Sequence, residues 1–320
     1  MNQKTKIPVT ILTGYLGSGK TTLVNRILSE QFGQKIAVIV NEIGSIGIDN
    51  ELIVRSEEEV VTLTNGCLCC TVREDLLVVL KQLVKKCETE HFEGLLIETT
   101  GLANPGPIIQ TFFLDPIIQQ SFEIDGVVTV VDAYHVEQHF CKGIEAKEQI
   151  AFADTILLNK IDLVTDNQVK KITSFIRSIN PTATITPTID CEADIHSLLH
   201  ISTFRVKDDL HVHHHEHNHL EEIVSFVLRE ERPLDFEKIN EWMAAIVSEL
   251  GEYLYRYKGI LNIQQTDKRV VFQGVHTLFA ATYDRKWRDE ETRLSEIVFI
   301  GKGLNKEWFE QHFHSCVFEK

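Results

Sequence analysis

No stretch of the 320 residues approaches the roughly 20 consecutive apolar side chains that a bilayer-crossing helix requires. With 43% hydrophobic and 25% charged residues, the expectation is a soluble, globular chain with no membrane partner. The apolar core and small-residue cleavage site of a secretory leader are also missing. Residues Met1 to Lys6 are polar and run straight into the strand-like Val9 to Leu12, so a cytoplasmic location is expected. Positive charge is in short supply: 32 Lys and Arg face 47 Asp and Glu, a formal charge of −15. That balance argues against nucleic acid as a partner, because phosphate binding needs clustered cations. Cysteines are few and odd in number, seven, and three of them fall within four residues, where most pairings would strain a disulfide. Metal binding in a reducing compartment fits them better.

The length predicts two domains, each large enough for its own core. From residue 7 to about 190, apolar β-rich runs alternate with helix-like segments: Pro8 to Thr13, Lys35 to Val40, Gly94 to Glu98, Gly126 to Val131 and Thr155 to Leu158. Continuous apolar strands of this kind predict a mostly parallel sheet covered on both faces, an α/β domain over 1–205. Between them, Thr71 to Cys87 sets Leu76, Leu80, Leu83, Val84 and Cys87 at helical spacing, a core-facing stripe. The composition then changes. His211-Val212-His213-His214-His215-Glu216-His217-Asn218-His219 holds six histidines in nine residues, which no packed core accommodates, so 206–221 reads as a His-rich linker. Beyond it, Glu222 to Arg229 has a strand pattern, Asp235 to Leu250 a helical one, and a last helix falls near Asn305 to His314. Residues 222–320 are expected to form a smaller α+β domain.

Gly14-Tyr15-Leu16-Gly17-Ser18-Gly19-Lys20-Thr21 matches G-x-x-x-x-G-K-[ST] between a predicted strand and a predicted helix, Thr22 to Phe32. Gly14, Gly17, Ser18 and Gly19 let backbone N–H groups approach phosphates, with Thr22 in the helix turn that follows. Lys20 would reach the β- and γ-phosphates, and the Thr21 hydroxyl would ligate Mg²⁺. Leu95-Leu96-Ile97-Glu98 followed by Thr99-Thr100-Gly101 supplies an acid at a strand end. Glu98 is expected to act on Mg²⁺ or its water and Gly101 to sense the γ-phosphate, with a helix cap or surface acid as the alternative for Glu98.

Asn159-Lys160-Ile161-Asp162 follows the strand two places after the acidic one. Asp162 can accept from the N1–H and exocyclic amine of guanine, a donor pair adenine lacks, so GTP and GDP are the expected nucleotides. Lys160 would cover the base plane and Asn159 would brace the loop.

Gly66-Cys67-Leu68-Cys69-Cys70 lies between the second strand and a long helix. Cys67, Cys69 and Cys70 can share one tetrahedral ion with a fourth ligand from elsewhere, and thiolates favour Zn²⁺ or Cu(I) over Mg²⁺ or Ca²⁺. Glu42 is the favoured fourth donor, with Asp115 or His135 behind it; a reduced cluster without a ligand role is the alternative. Cys87, Cys141, Cys191 and Cys316 read as structural. His211, His213, His214, His215, His217 and His219 suit weak, exchangeable capture of divalent metals, or else a merely solvated linker.

These motifs resemble the CobW-type metallochaperone GTPases, close to their YjiA-like, zinc-related branch. The resemblance rests on residues 14–22, Asn41-Glu42-Ile43-Gly44, the cysteine motif at 66–70, residues 98–101 and residues 159–162. It continues through Tyr257 to Leu261, Phe272 to Val275 and Ile297 to Gly301, so it covers nearly the whole chain. Ile43 stands where many relatives carry Phe. The resemblance implies slow GTP hydrolysis, zinc at the cysteines and delivery to a client metalloprotein. A metal buffer or sensor without delivery, and cobalt supply to a corrinoid pathway, are the competing readings. A P-loop kinase is disfavoured by N-K-x-D, and self-association into a homo-oligomer is compatible with all of these.

Overall fold

The structure is a computed structural model that describes residues 6–30, 35–41, 60–63, 71–87, 89–201 and 223–319, with backbone alone at 41, 60–63 and 71–75. It divides into two compact units, Met1–Ile176 with Ala183–Arg205, and Arg177–Thr182 with Val206–Lys320.

In the first unit β1 (Ile7–Gly14), α1 (Lys20–Glu30), β2 (Ile36–Asn41), β3 (Val60–Leu63), α2 (Thr71–Lys86) and β4 (Gly94–Glu98) are followed by α3 (Gly106–Leu114) and α4 (Pro116–Ser121). Then come β5 (Phe122–Asp132), α5 (Val136–Lys142), α6 (Glu145–Phe152), β6 (Thr155–Asn159), α7 (Asp166–Ile179), β7 (Thr184–Pro187) and α8 (Ile195–Leu199). The strands form a seven-stranded sheet in the order β3-β2-β4-β1-β5-β6-β7. Every pair in it is parallel. On one face Leu12, Val38, Leu96, Val130 and Leu157 pack under Leu23, Val24 and Ile27 of α1 and Leu198 and Leu199 of α8. The alternate positions Ile11, Ile39, Ile97 and Ile156 are equally buried, so the sheet is covered on both sides, which is why its strands read as unbroken apolar runs.

The register sets the functional edge. Leu12 lies beside Glu98, Glu98 beside Val40, Asn41 beside Leu63, Gly14 beside Val130 and Asp132 beside Asn159. All these strand ends therefore leave the sheet at its carboxyl edge, where open α/β sheets bind their ligands. Among the described residues no helix is long and apolar enough to cross a membrane.

The second unit comprises β8 (Ile223–Glu230), α9 (Phe236–Leu250), β9 (Leu254–Asn262), β10 (Lys268–Val275), β11 (Leu278–Lys286), β12 (Ser295–Lys302) and α10 (Lys306–Ser315). Its antiparallel sheet runs β11-β10-β9-β12-β8. Asp235 caps α9 by accepting from Glu237 N and Lys238 N, and Asn305 caps α10 by accepting from Trp308 N. Both helices lie on one sheet face: Trp242, Met243 and Ile246 of α9 and Phe309 and Phe313 of α10 cluster with Phe226, Tyr257, Phe272 and Phe299.

At the end of β8, Glu230 binds Arg232 through two hydrogen bonds of 2.8 and 2.7 Å and accepts from His314 Nδ1 at 2.7 Å, tying the C-terminal helix to the sheet. The Arg232 guanidinium, and after it His314, hold the Glu230 carboxyl down at about 2 against the opposing effect of burial. A depressed carboxylate stabilises the fold fully above its unfolded value and loses that contribution as pH falls toward the folded one. The thermal stability of the second unit should therefore fall between about pH 4.5 and pH 2, and Glu230→Gln should flatten that acid limb. An unchanged limb in the variant would contradict this role.

Candidate nucleotide-binding site

Between β1 and α1 the chain folds into a tight loop at the carboxyl edge. Gly14 (φ +147°) lies so close to β5 that a Cβ would meet Val130 O at 2.3 Å, and Gly19 (φ +113°) would place one 2.6 Å from Asn159 Nδ2. No L side chain fits either backbone without displacement, which explains two of the motif's glycines. Lys20, 8% exposed, donates from Nζ to Gly14 O at 2.8 Å and Tyr15 O at 3.3 Å. Burial lowers its pKa and the Glu98 charge opposes that shift. A polyphosphate in the loop would give this buried ammonium the counter-charge it suits. Among the described residues, the buried hydroxyls of Ser18 and Thr100 find no hydrogen-bond partner. Orphaned donors beside a glycine cradle and a buried lysine fit a bound phosphate chain.

Glu98 is 6% exposed at the last position of β4, so it is neither a surface acid nor a helix cap. Thr99 N donates to Leu12 O at 2.9 Å and Thr99 Oγ1 to Thr13 Oγ1 at 2.9 Å, fastening the end of the acidic strand to β1. Gly101 then abuts the loop itself, since a Cβ there would stand 2.7 Å from Leu16 N and 2.6 Å from Leu16 Cδ2.

The segment Asn159 to Asp162 is joined to the same loop. Asn159, 2% exposed, donates from Nδ2 to Ser18 O at 3.0 Å, and its Oδ1 accepts from Cys191 N at 2.9 Å and Thr188 Oγ1 at 3.2 Å. Lys160 turns the chain in the left-handed region (φ +61°), and its Nζ donates to Gly17 O at 2.7 Å and to Asp132 Oδ2 at 2.7 Å. Asp162 is exposed in a single 3-10 turn, Ile161–Leu163, where its carboxylate stands open to a base. Thr21 is half-buried and Thr22 exposed in the first turn of α1.

Several participants escaped the sequence reading. Asp132 is buried and accepts from Tyr134 N at 2.9 Å, His135 N at 3.1 Å and His135 Nδ1 at 2.9 Å besides Lys160. Burial alone would raise its pKa; Lys160 and His135 outweigh that and hold it below the usual range. The signal was present, because Asp132 ends an apolar strand just as Glu98 does. Cys191 is fully buried, as expected of a structural cysteine, and burial pushes its thiol up to about 12. Its Sγ donates to Gly19 O at 3.3 Å, which places it in the bed of the phosphate loop. His139 stacks on Tyr15 with ring centroids 4.2 Å apart, and nothing in the sequence spacing pairs those two.

Glu42, Cys67, Cys69, Cys70 and the histidines His211, His213, His214, His215, His217 and His219 lie outside the described residues. Among the described residues no group of three or more His, Cys, Asp or Glu side chains is placed to hold a metal. The two reserve ligands are engaged: Asp115 caps α4 and pairs with Lys81 Nζ at 2.6 Å, and His135 binds Asp132.

A phosphate loop, a strand-end acid and a guanine-type N-K-x-D loop joined by Asn159 and Lys160 define a P-loop GTPase. Residues 8–187 match the family model described as CobW/HypB/UreG, nucleotide-binding domain, and 223–317 match that described as Cobalamin synthesis protein cobW C-terminal domain. The chain belongs to the CobW family. It is 37% identical to the Zinc chaperone YjiA of Escherichia coli, over 94% of this chain and 96% of that one. It is 34% identical to the Zinc chaperone CobW of Pseudomonas aeruginosa, over 96% and 90%. The crystal structure of Zn(II)-bound YjiA GTPase from E. coli superimposes with a TM-score of 0.78 at 32% identity, covering 98% of this chain and all of that one.

Replacing Asn159 by Ala removes three buried hydrogen bonds and strands the Cys191 N–H. At about 1 kcal/mol per bond, plus the penalty for an unpaired donor, the variant should lose about 2–5 kcal/mol in urea unfolding. A loss within error of zero would show that Asn159 does not brace the loop.

Proposed function

We propose that this chain is a zinc-handling GTPase that hydrolyses GTP to GDP and uses the nucleotide state to hold and then release zinc to a client metalloprotein. One observation carries the reading: the strand register. The described ends of β1, β2, β3 and β4 share one carboxyl edge with Glu98, and in the sequence Glu42 directly follows β2 while the cysteine motif lies between β3 and α2. The relatives named as zinc chaperones support the choice of metal and of task.

In this reading Gly14, Gly17, Ser18 and Gly19 cradle the phosphates, and Lys20 neutralises charge that develops on the γ-phosphoryl group. Mg²⁺, held by Thr21 with Glu98 on it or on its water, would supply further neutralisation of the β- and γ-oxygens. Gly101 senses the γ-phosphate, Asp162 reads guanine, Lys160 covers the base and Asn159 keeps the two loops in register. Cys67, Cys69 and Cys70 bind zinc with Glu42 as fourth ligand, and the histidines of 211–219 collect metal at lower affinity.

Two variants test these assignments. Asp162→Asn should lose preference for GTP and gain it for xanthosine triphosphate, whose C2 carbonyl suits an amide donor; equal competition by ATP and GTP against the unmodified chain would refute guanine reading. Changing Cys67, Cys69 and Cys70 together to Ser should abolish the one tight zinc site while leaving the weak ones, which deletion of 211–219 should remove. Tight zinc retained by the triple variant would refute the metal assignment.

A further inference from the structure

The segment that carries Gly101 is fixed from behind by a residue with no role in the reading above. Gln149, on α6, is 1% exposed. Its Nε2 donates to Gly101 O at 3.2 Å and to Ala103 O at 3.1 Å, while its backbone carbonyl accepts from Thr129 Oγ1 of β5 at 2.8 Å. The next residue back, Glu148, accepts from Asn104 Nδ2 at 3.1 Å, and Asn104 Oδ1 in turn accepts from Gly106 N, the first residue of α3, at 2.8 Å. The turn is closed on itself by Ala103 N donating to Thr100 O at 3.0 Å.

We propose that Gln149 is the positioning residue of the γ-phosphate-sensing turn: its carboxamide, anchored to β5 through its own backbone, sets the orientation of the peptides at 101–103 against the phosphate loop. This rests on the GTPase reading and extends it. Three physical points lead there. A trans peptide holds its N–H opposite its C=O, so drawing the Gly101 carbonyl toward α6 turns the Leu102 N–H away from α6. The turn also has no slack on its other side, because Gly101 is packed against Leu16 N and the Leu16 side chain of the loop. A displacement there is passed to the loop, and freeing the carbonyls from Gln149 loosens both. Finally, a buried amide adds little net stability over an apolar side chain of the same shape, yet leaves two carbonyls unpaired when it is lost. What a carboxamide provides here that a methionine cannot is orientation.

A residue that acts on this turn should affect GTP and leave GDP alone, since only GTP presents the γ-phosphate. Gln149→Met keeps length and burial and removes both donated bonds. Its kcat for GTP should fall roughly tenfold or more, the effect of losing about 1.4 kcal/mol of positioning, and affinity for a non-hydrolysable GTP analogue should drop relative to GDP. GDP affinity should stay within about twofold of the unmodified chain. Unchanged kcat and analogue affinity would overturn the proposal, and so would an equal loss of GDP and analogue binding, which marks mere pocket structure. Should Gln149→Met fail to fold, Asn104→Ala, at the half-buried end of the same turn, decides by the same readouts: a lower kcat with GDP binding intact supports the proposal, and an unaltered kcat overturns it. The unmodified chain is assayed alongside; no phosphate release from GTP there would refute the GTPase reading itself, whereas turnover matched by the Met variant refutes only the role of Gln149.

Discussion

The site depends on one buried carboxamide. Asn159 joins the phosphate loop, through Ser18 O, to the loop after β7, through Cys191 N and Thr188 Oγ1, and its own backbone begins the turn that carries Asp162. Without that bridge the phosphate cradle and Asp162 would belong to separate loops. Lys160 repeats the connection a residue later by bonding Gly17 O and Asp132 together. Low exposure makes these bonds strong and makes their loss costly, so the phosphate loop and the turn carrying Asp162 are held in a single geometry.

The same arrangement accounts for charge. A buried ammonium and two buried carboxylates, Lys20, Glu98 and Asp132, stand at the strand ends of a strongly acidic chain. Asp132 is satisfied internally by Lys160, His135 and backbone donors. Lys20 is buried against carbonyls; burial lowers its pKa, the Glu98 charge works against that shift, and an anionic ligand would oppose it further.

The parallel sheet and the nucleotide motifs were legible because each has a strong local cause: apolar runs covered on both faces, and glycines at backbone positions no other residue can take. The helical ranges expected from Asp235 and near Asn305 begin at the two residues that cap the helices of the second unit. Where long-range pairing decides, the sequence is silent. The β5 strand extends back to Phe122, beyond the Gly126 start that apolarity suggests, because Asp125 sits in a bulge where the register passes from Val9–Ile124 to Thr10–Gly126 and its carboxylate accepts from Ile201 N at 2.8 Å. Gln149, Cys191 and the Tyr15–His139 stack acquire meaning only from partners far along the chain, 46 and 48 residues away for the bonds of Gln149. Those partners cannot be read from composition or period.

The proposed coupling of nucleotide and metal rests on the carboxyl edge, where β4 ends at Glu98 and where β3, the last described strand before the cysteine motif in the sequence, ends at Leu63. If the two nucleotide states hold the sulfurs differently, zinc affinity and the preference for GTP over GDP must shift by one common factor. The decisive measurement is zinc titration against a competing chelator with GDP or a non-hydrolysable GTP analogue bound, with Lys20→Ala as the nucleotide-binding control. The account predicts zinc affinities that differ by about 5- to 150-fold between the two states and a difference abolished in Lys20→Ala. Equal affinities in both states would contradict it, leaving two sites on one chain that do not communicate.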